Sequence, residues 1–303
     1  MNPWTVEPVC TPACAKTPAA GVPLPETIRR YASVARTLLH SVARGDRLAD
    51  PRTLRAEARA ILTALGIRLD LDLDLGLDLE QDGSPKPDGS PGLDAGPEQG
   101  PDLGSGEDVG PEQGRRPLTV PGPTGTLVVA NHISWLDVIV LLAVEPVTLL
   151  AKREVGTWPV IGTLARRIGT RFIDREGLRE LPYTVAELAR TLRTGQSVMV
   201  FPQGTTWCSV PGGTFRRATF QAAVDAGAPV RPVTIDYFQH GVPSTVAGFL
   251  GDEGFATSLR RVVGAGELSA RVTTHRPLTG GDRRSLAAEA QRAVSGSRAP
   301  AHA

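Results

Sequence analysis

Residues 131–137, Asn131-His132-Ile133-Ser134-Trp135-Leu136-Asp137, set an imidazole and a carboxylate five positions apart. On one regular helix that step would separate the two side chains by roughly 140°. The apolar run Thr126–Ala130 before them reads as a buried strand. Asn131 and His132 then fall at its C-terminal end, where α/β folds place their sites. Ser134 and Asp137 form S-x-x-D, a pattern for a helix N-cap followed by an acidic residue in the first turn. His132 is therefore a turn residue just ahead of a helix, and the two groups can meet. A carboxylate on one ring nitrogen fixes the tautomer and leaves the other nitrogen able to take a proton, which is general-base chemistry. The plainer alternative is that Asp137 only caps the helix and His132 only occupies a loop. For a bare H-x4-D that plainer alternative would win.

Two further strand-to-loop junctions accompany this one. Met199–Trp207 (MVFPQGTTW) carries Gln203, Gly204 and Thr205, with a glycine that permits close backbone approach. Gly169–Arg175 (GTRFIDR) ends on Arg175, and Lys152 lies in the AKRE segment upstream. Together these residues resemble the glycerolipid acyltransferases, specifically the bacterial lysophosphatidic acid (1-acylglycerol-3-phosphate) acyltransferase family. The resemblance covers about 118–278, and its blocks occur in order: NHxSxxD at Asn131–Asp137, GxxFIDR at Gly169–Arg175, FPEGT as Phe201–Thr205, and the proline of Val230-Arg231-Pro232.

The resemblance implies a mechanism and a set of roles. His132 acts as base on a lysolipid hydroxyl, with Asp137 orienting the imidazole. The oxygen attacks the thioester carbonyl of acyl-coenzyme A or acyl carrier protein directly, with no acyl-enzyme. Arg175 and Lys152 hold the acceptor phosphate, and Asn131, Ser134, Gln203, Gly204 and Thr205 complete the substrate-binding set. The family glutamate of the third block is Gln203 here, and Thr206 stands where an arginine is frequent. The segment 248–263, GFLGDEGFATSLRRVV, is similar to one in lyso-ornithine lipid acyltransferases, which keeps that acceptor open. The competing reading from another class is a non-catalytic lipid- or acyl-carrier-binding protein disabled by Gln203. No metal or cofactor is implied.

The positioning elements follow from periodicity. Strands are expected at Thr126–Ala130, Val147–Lys152, Arg171–Asp174, Ser197–Phe201, Val230–Tyr237 and Ala270–Thr274. Helical patterns lie between them, at 135–144, 158–168, 185–193, 215–226 and 286–294. The expected fold class is α/β, a mixed sheet flanked by helices, spanning 117–295. Residues 25–80 supply N-terminal helices and a lead-in strand, the latter from the Leu/Asp alternation beginning at Ile67. Residues 81–116, with nine Gly, six Pro and no aromatic, read as a disordered acidic insertion. Residues 1–24 and 296–303 read as disordered tails. Cys10 and Cys14 form a lone Cys-x3-Cys with no second ligand pair nearby, which reads as two thiols on a tail rather than a zinc site.

The chain has 303 residues and a net charge of +1, but the charge is unevenly spread. Thirteen acidic residues face Lys86 alone between Asp70 and Gly114, so the rest carries +13. A basic body suits an anionic partner such as a phospholipid surface, coenzyme A or an acidic carrier protein. Nucleic acid is not expected, because no basic cluster is interleaved with aromatics. The first residues lack the pattern of a secretory signal, and no apolar run approaches the ~18 residues that span a bilayer. The expected location is cytoplasmic and peripheral on the inner membrane face. The helix at 25–44, with arginines between its apolar residues, can either lie on that membrane or pack on the domain.

Overall fold

The computed structural model describes residues 10–15, 21–73, 117–157, 161–173, 181–208 and 212–296. The insertion expected at 81–116 and the tail expected after Gly296 lie outside the described residues.

The sheet is built from β1 (Ile67–Leu73), β2 (Leu127–Ala130), β3 (Thr148–Lys152), β4 (Arg171–Ile173), β5 (Val198–Val200), β6 (Val230–Gln239), β7 (Val242–Pro243) and β8 (Leu268–Thr274). Its order is β1-β8-β6-β2-β5-β3-β4, with β7 paired to β6. Strands β6, β2, β5, β3 and β4 run parallel, whereas β8 is antiparallel to β6 and carries β1 alongside it in parallel. The sheet is therefore mixed, as expected. The central strand β2 is buried on both faces and its side chains alternate between two cores. Val128 and Ala130 pack on one side, Leu127 and Val129 on the other.

Helices cover both faces. α1 (Leu24–Ala43), α2 (Pro51–Leu65), α3 (Leu136–Val144) and α7 (Phe255–Val263) lie on the first. α5 (Leu181–Arg193), α6 (Ala218–Ala226) and α8 (Arg283–Gly296) lie on the second, and the short α4 (Ile161–Arg167) precedes β4. The first face explains why the N-terminal segment belongs to the same body. Leu62, Leu65 and Ile67 share a core with Leu136, Val140 and Val272, and β1 extends the sheet through β8. Helix α7 was not among the helices expected from periodicity.

Two tail assignments need correction. Residues 10–15 are not a free tail: Cys10 is buried and meets Cys208, 198 positions away. α8 also runs on to Gly296. Helix α1 packs on the domain through Val34, Leu38, Arg30 and Ser41, the Arg30 guanidinium donating to the carbonyls of Val263 and Ala265.

Candidate active site

The parallel strands β2, β3, β4 and β5 end at one edge, and the conspicuous sequence blocks leave from it. Val129 pairs with Val200, so the loops beginning at Asn131 and Phe201 emerge side by side. His132 occupies the first loop and its ring stacks on Phe201 of the second, with centroids 4.1 Å apart and planes 13° apart.

Asp137 stands in the first turn of α3 and turns back toward the loop. Its Oδ2 accepts from His132 Nδ1 at 2.8 Å, from Ile133 N–H at 2.6 Å and from Ser134 N–H at 2.9 Å. An oxygen already receiving two backbone donors takes the ring as a third donor, so Nδ1 carries the hydrogen and Nε2 holds the lone pair. Oδ1 accepts from the Tyr237 hydroxyl at 2.8 Å. Burial first, and then the Asp137 charge and hydrogen bond, push the Tyr237 phenol well above its ordinary value, so it stays a donor. The Asp137 side chain is wholly buried, whereas 18% of the His132 side chain is exposed.

The second loop holds the first by its backbone. Gln203 is buried, and its Oε1 accepts from His132 N–H at 2.8 Å while its Nε2 donates to Gly213 O at 3.3 Å. The partners fix which end of the amide is which. Trp207 N–H donates to His132 O at 2.8 Å, so both backbone groups of His132 are held by the 201–208 loop. Gly204 turns that loop at φ +78°, in the left-handed region where a side chain is strained. Gly213 lies against the Trp207 indole, where a Cβ would come within 2.5 Å of the ring nitrogen.

Several expected substrate ligands are instead used within the protein. Asn131 is fully buried, and its amide exchanges two hydrogen bonds with Ile235, at 2.9 and 2.8 Å. It continues the β2–β6 ladder one step beyond Ala130, so it cannot also face a ligand. Ser134 is fully buried, and its hydroxyl accepts only weakly, from Leu136 N–H at 3.3 Å. The helix starts at Leu136, so the group serving the loop's N–H donors is Asp137 and not Ser134. Gln203 likewise bonds backbone rather than a substrate. Gly204 and Thr205 remain at the loop surface, half-buried. Lys152 ends β3 at the same sheet edge, and Arg175 lies outside the described residues. Thr206 donates its hydroxyl to Phe249 O, and Phe249 N–H donates to Ile133 O at 3.0 Å, which ties the 248–263 segment to both loops.

An open cleft of about 550 Å³ lies elsewhere, at the N-terminal ends of β3 and β4, lined by Thr148, Arg166, Arg167 and Arg171. None of its lining residues belongs to the His132 constellation. The arginines are engaged with Gly156 O, Val42 O and Glu187, so we assign the chemistry to the His132 edge.

The role of Gln203 carries a prediction. In Gln203→Glu, a carboxylate oxygen replaces the amide that donates to Gly213 O, setting two buried acceptors against each other. Stability should fall by about 1–3 kcal/mol, the range for an unsatisfied buried polar group, with no gain in rate. Thermal denaturation alongside a turnover assay checks this, and a faster enzyme of unchanged stability would contradict it.

The profile of the Acyltransferase family matches residues 113–236. A 1-acyl-sn-glycerol-3-phosphate acyltransferase of Neisseria meningitidis is 38% identical over 150 residues, covering 50% of this chain and 59% of that protein. A lyso-ornithine lipid O-acyltransferase of Pseudomonas aeruginosa is 39% identical over 170 residues, covering 55% and 66% respectively. The chain thus spans about three-fifths to two-thirds of the length of these relatives. Among solved structures, the 1-acyl-sn-glycerophosphate acyltransferase PlsC of Thermotoga maritima aligns over 90% of this chain and 93% of its own, with TM-score 0.50 and 18% identity. That likeness concerns the fold.

Proposed function

Residues 113–236 belong to the acyltransferase family, and from that premise we propose that this chain moves a fatty acyl group from an acyl thioester to the hydroxyl of a lysolipid. The observation that carries the reading is the His132–Asp137 pair: Nδ1 bound at 2.8 Å to a wholly buried carboxylate, on an imidazole side chain that is 18% exposed. His132 Nε2 takes the proton from the acceptor hydroxyl as its oxygen bonds to the thioester carbonyl carbon. The tetrahedral intermediate collapses, the C–S bond breaks, and the leaving thiolate receives that proton from Nε2. Asp137 balances the imidazolium between the two transfers. A positioned base contributes roughly 10²–10⁴ in rate. The donor is acyl-coenzyme A or acyl carrier protein.

The acceptor we favour is 1-acylglycerol-3-phosphate, giving phosphatidic acid, with Lys152 and Arg175 as phosphate ligands. Lyso-ornithine lipid is the second reading, supported by one observation: the Thr206 hydroxyl is committed to Phe249 O, within the segment resembling enzymes of that acceptor. Purified protein with palmitoyl-coenzyme A and a panel of lysophosphatidate, lyso-ornithine lipid and lysophosphatidylethanolamine tests all of this. Acceptor-dependent thiol release supports the enzyme, and the fastest acceptor names the substrate. Lipid binding with no thiol release would leave the non-catalytic reading standing.

The acceptor is a membrane lipid, and no helix among the described residues is long and apolar enough to cross a membrane. Helix α1 supplies a surface contact instead. It turns Leu24, Ile28, Tyr31 and Leu39 outward, with Leu24 and Leu39 more than 70% exposed, while Arg30 and Ser41 face inward. We propose that this outward stripe, flanked by Arg29 and Arg36, seats the protein on an anionic bilayer. Replacing Ile28 and Leu39 with aspartate should weaken binding to phosphatidylglycerol vesicles at least about tenfold, because burying each such side chain is worth ~1.5–3 kcal/mol. Thermal stability should be unchanged, since neither side chain packs in the core. Undiminished vesicle sedimentation by the double variant would exclude α1 as the contact.

A further inference from the structure

Outside the candidate active site, three thiols from distant parts of the chain converge. The ligand atoms of Cys10, Cys14 and Cys208 all lie within 4.8 Å of one another, and Cys10 Sγ is 3.1 Å from Cys208 Sγ. A single 3-10 turn, Pro12–Cys14, closed by Cys14 N–H donating to Thr11 O at 2.9 Å, brings the first two cysteines to one place. Cys208 comes to the same place from the loop after β5. Cys10 and Cys208 are buried, Cys14 is half-buried, and Leu250, Ala15 and Trp207 pack around them. The Cys208 N–H is directed at Cys10 Sγ at 3.4 Å. The thiolate is the metal-ligating form.

We propose that Cys10, Cys14 and Cys208 form a three-thiolate site for a thiophilic divalent cation of the zinc class, with solvent in the fourth position. A disulfide would use two sulfurs and leave the third without purpose, whereas a tetrahedral cation uses all three. Zinc–sulfur bonds of ~2.3 Å set the sulfurs about 3.8 Å apart, inside the span observed here. The N–H directed at Cys10 Sγ matches the hydrogen bonding that supports metal thiolates. Each thiol gives up its proton to solvent as its sulfur binds, so affinity rises with pH.

The site would act on the fold around the imidazole. Cys208 follows Trp207, which holds His132 O, and Leu250 follows Phe249, which holds Ile133 O. Gly251, at φ +61°, packs against the Pro12 ring, where a Cβ would lie 3.2 Å from Cδ. A bound cation would fasten the 10–15 segment onto both loops. It takes no part in acyl transfer, and the proposal stands apart from the acyltransferase reading.

Untagged full-length protein, stripped with a chelator under reducing conditions, is titrated with zinc against a chromophoric competitor. Cysteine alkylation is followed by mass spectrometry in parallel. The expected result is one zinc per chain, protection of all three cysteines from iodoacetamide, and a raised thermal midpoint. Cys14→Ser, at the rim of the cluster, should bind zinc at least about tenfold more weakly while melting like the metal-free wild type. Zinc well below one per chain, or affinity unchanged in Cys14→Ser, overturns the proposal. Recovery of a Cys10–Cys208 disulfide from protein alkylated at lysis also overturns it, identifying a redox pair instead.

Discussion

His132→Ala should lose acceptor-dependent thiol release by at least about 10²-fold while remaining folded. The loss follows from removing the group that takes the hydroxyl proton, since an alcohol is a poor nucleophile near neutral pH. Retention of the fold follows from how the loop is held. The contacts to Gln203 Oε1 and from Trp207 N–H are made by the backbone of residue 132 and survive truncation of its ring. Asp137 keeps Ile133 N–H, Ser134 N–H and the Tyr237 hydroxyl as donors. What disappears is one ring stacked on Phe201 and partly in solvent, so the thermal midpoint should move by only a few degrees. Circular dichroism and thiol-release kinetics on the same preparation check both halves. Turnover near that of the wild type would end the general-base mechanism.

The His132–Asp137 pair was legible in the sequence because everything that brings it together is local. A strand end, a five-residue step and a helix start allow the contact, and the resemblance carried by the other blocks selects it over simple capping. The strands around it were legible for a similar reason: β2 and β5 are short apolar runs bounded by turns. Contacts made through the sheet were not. Gln203 reaches His132 N–H across 71 positions only because β2 and β5 are neighbours in register, and strand order is not written in either motif. Asn131 was misread because a polar residue at a strand end resembles a ligand until the adjoining strand is known to need its amide. Tyr237 left a fainter signal. A tyrosine within a fully buried strand must find a partner for its hydroxyl, and here that partner is Asp137 Oδ1. Cys208 left none, since nothing in a Cys-x3-Cys announces a third sulfur 198 residues later.

Asp137→Asn should slow turnover by between about tenfold and 150-fold and cost far less stability than Asp137→Ala. The amide has one oxygen and one NH2, and the site dictates where each goes. Ile133 N–H and Ser134 N–H both point at the Oδ2 position, so the oxygen must sit there and the NH2 must face Tyr237. His132 Nδ1–H then keeps an acceptor, and the tautomer with a basic Nε2 is preserved. Only the charge is lost. A hydrogen bond to a charged group is worth ~1.5–3 kcal/mol, and that stabilisation of the imidazolium formed during proton transfer is what disappears, which sets the expected range. Tyr237 can rotate its hydroxyl to accept from the new NH2, so packing is retained. In Asp137→Ala those two N–H groups and the Tyr237 hydroxyl lose their acceptor in a buried site, at ~1–3 kcal/mol each, and the variant should melt far earlier. The comparison separates the two roles open to this carboxylate. A slow but stable Asn variant shows that its charge serves catalysis. An Asn variant as fast as the wild type shows that Asp137 only organises the turn, and the proton must then be taken by His132 without help from a negative partner.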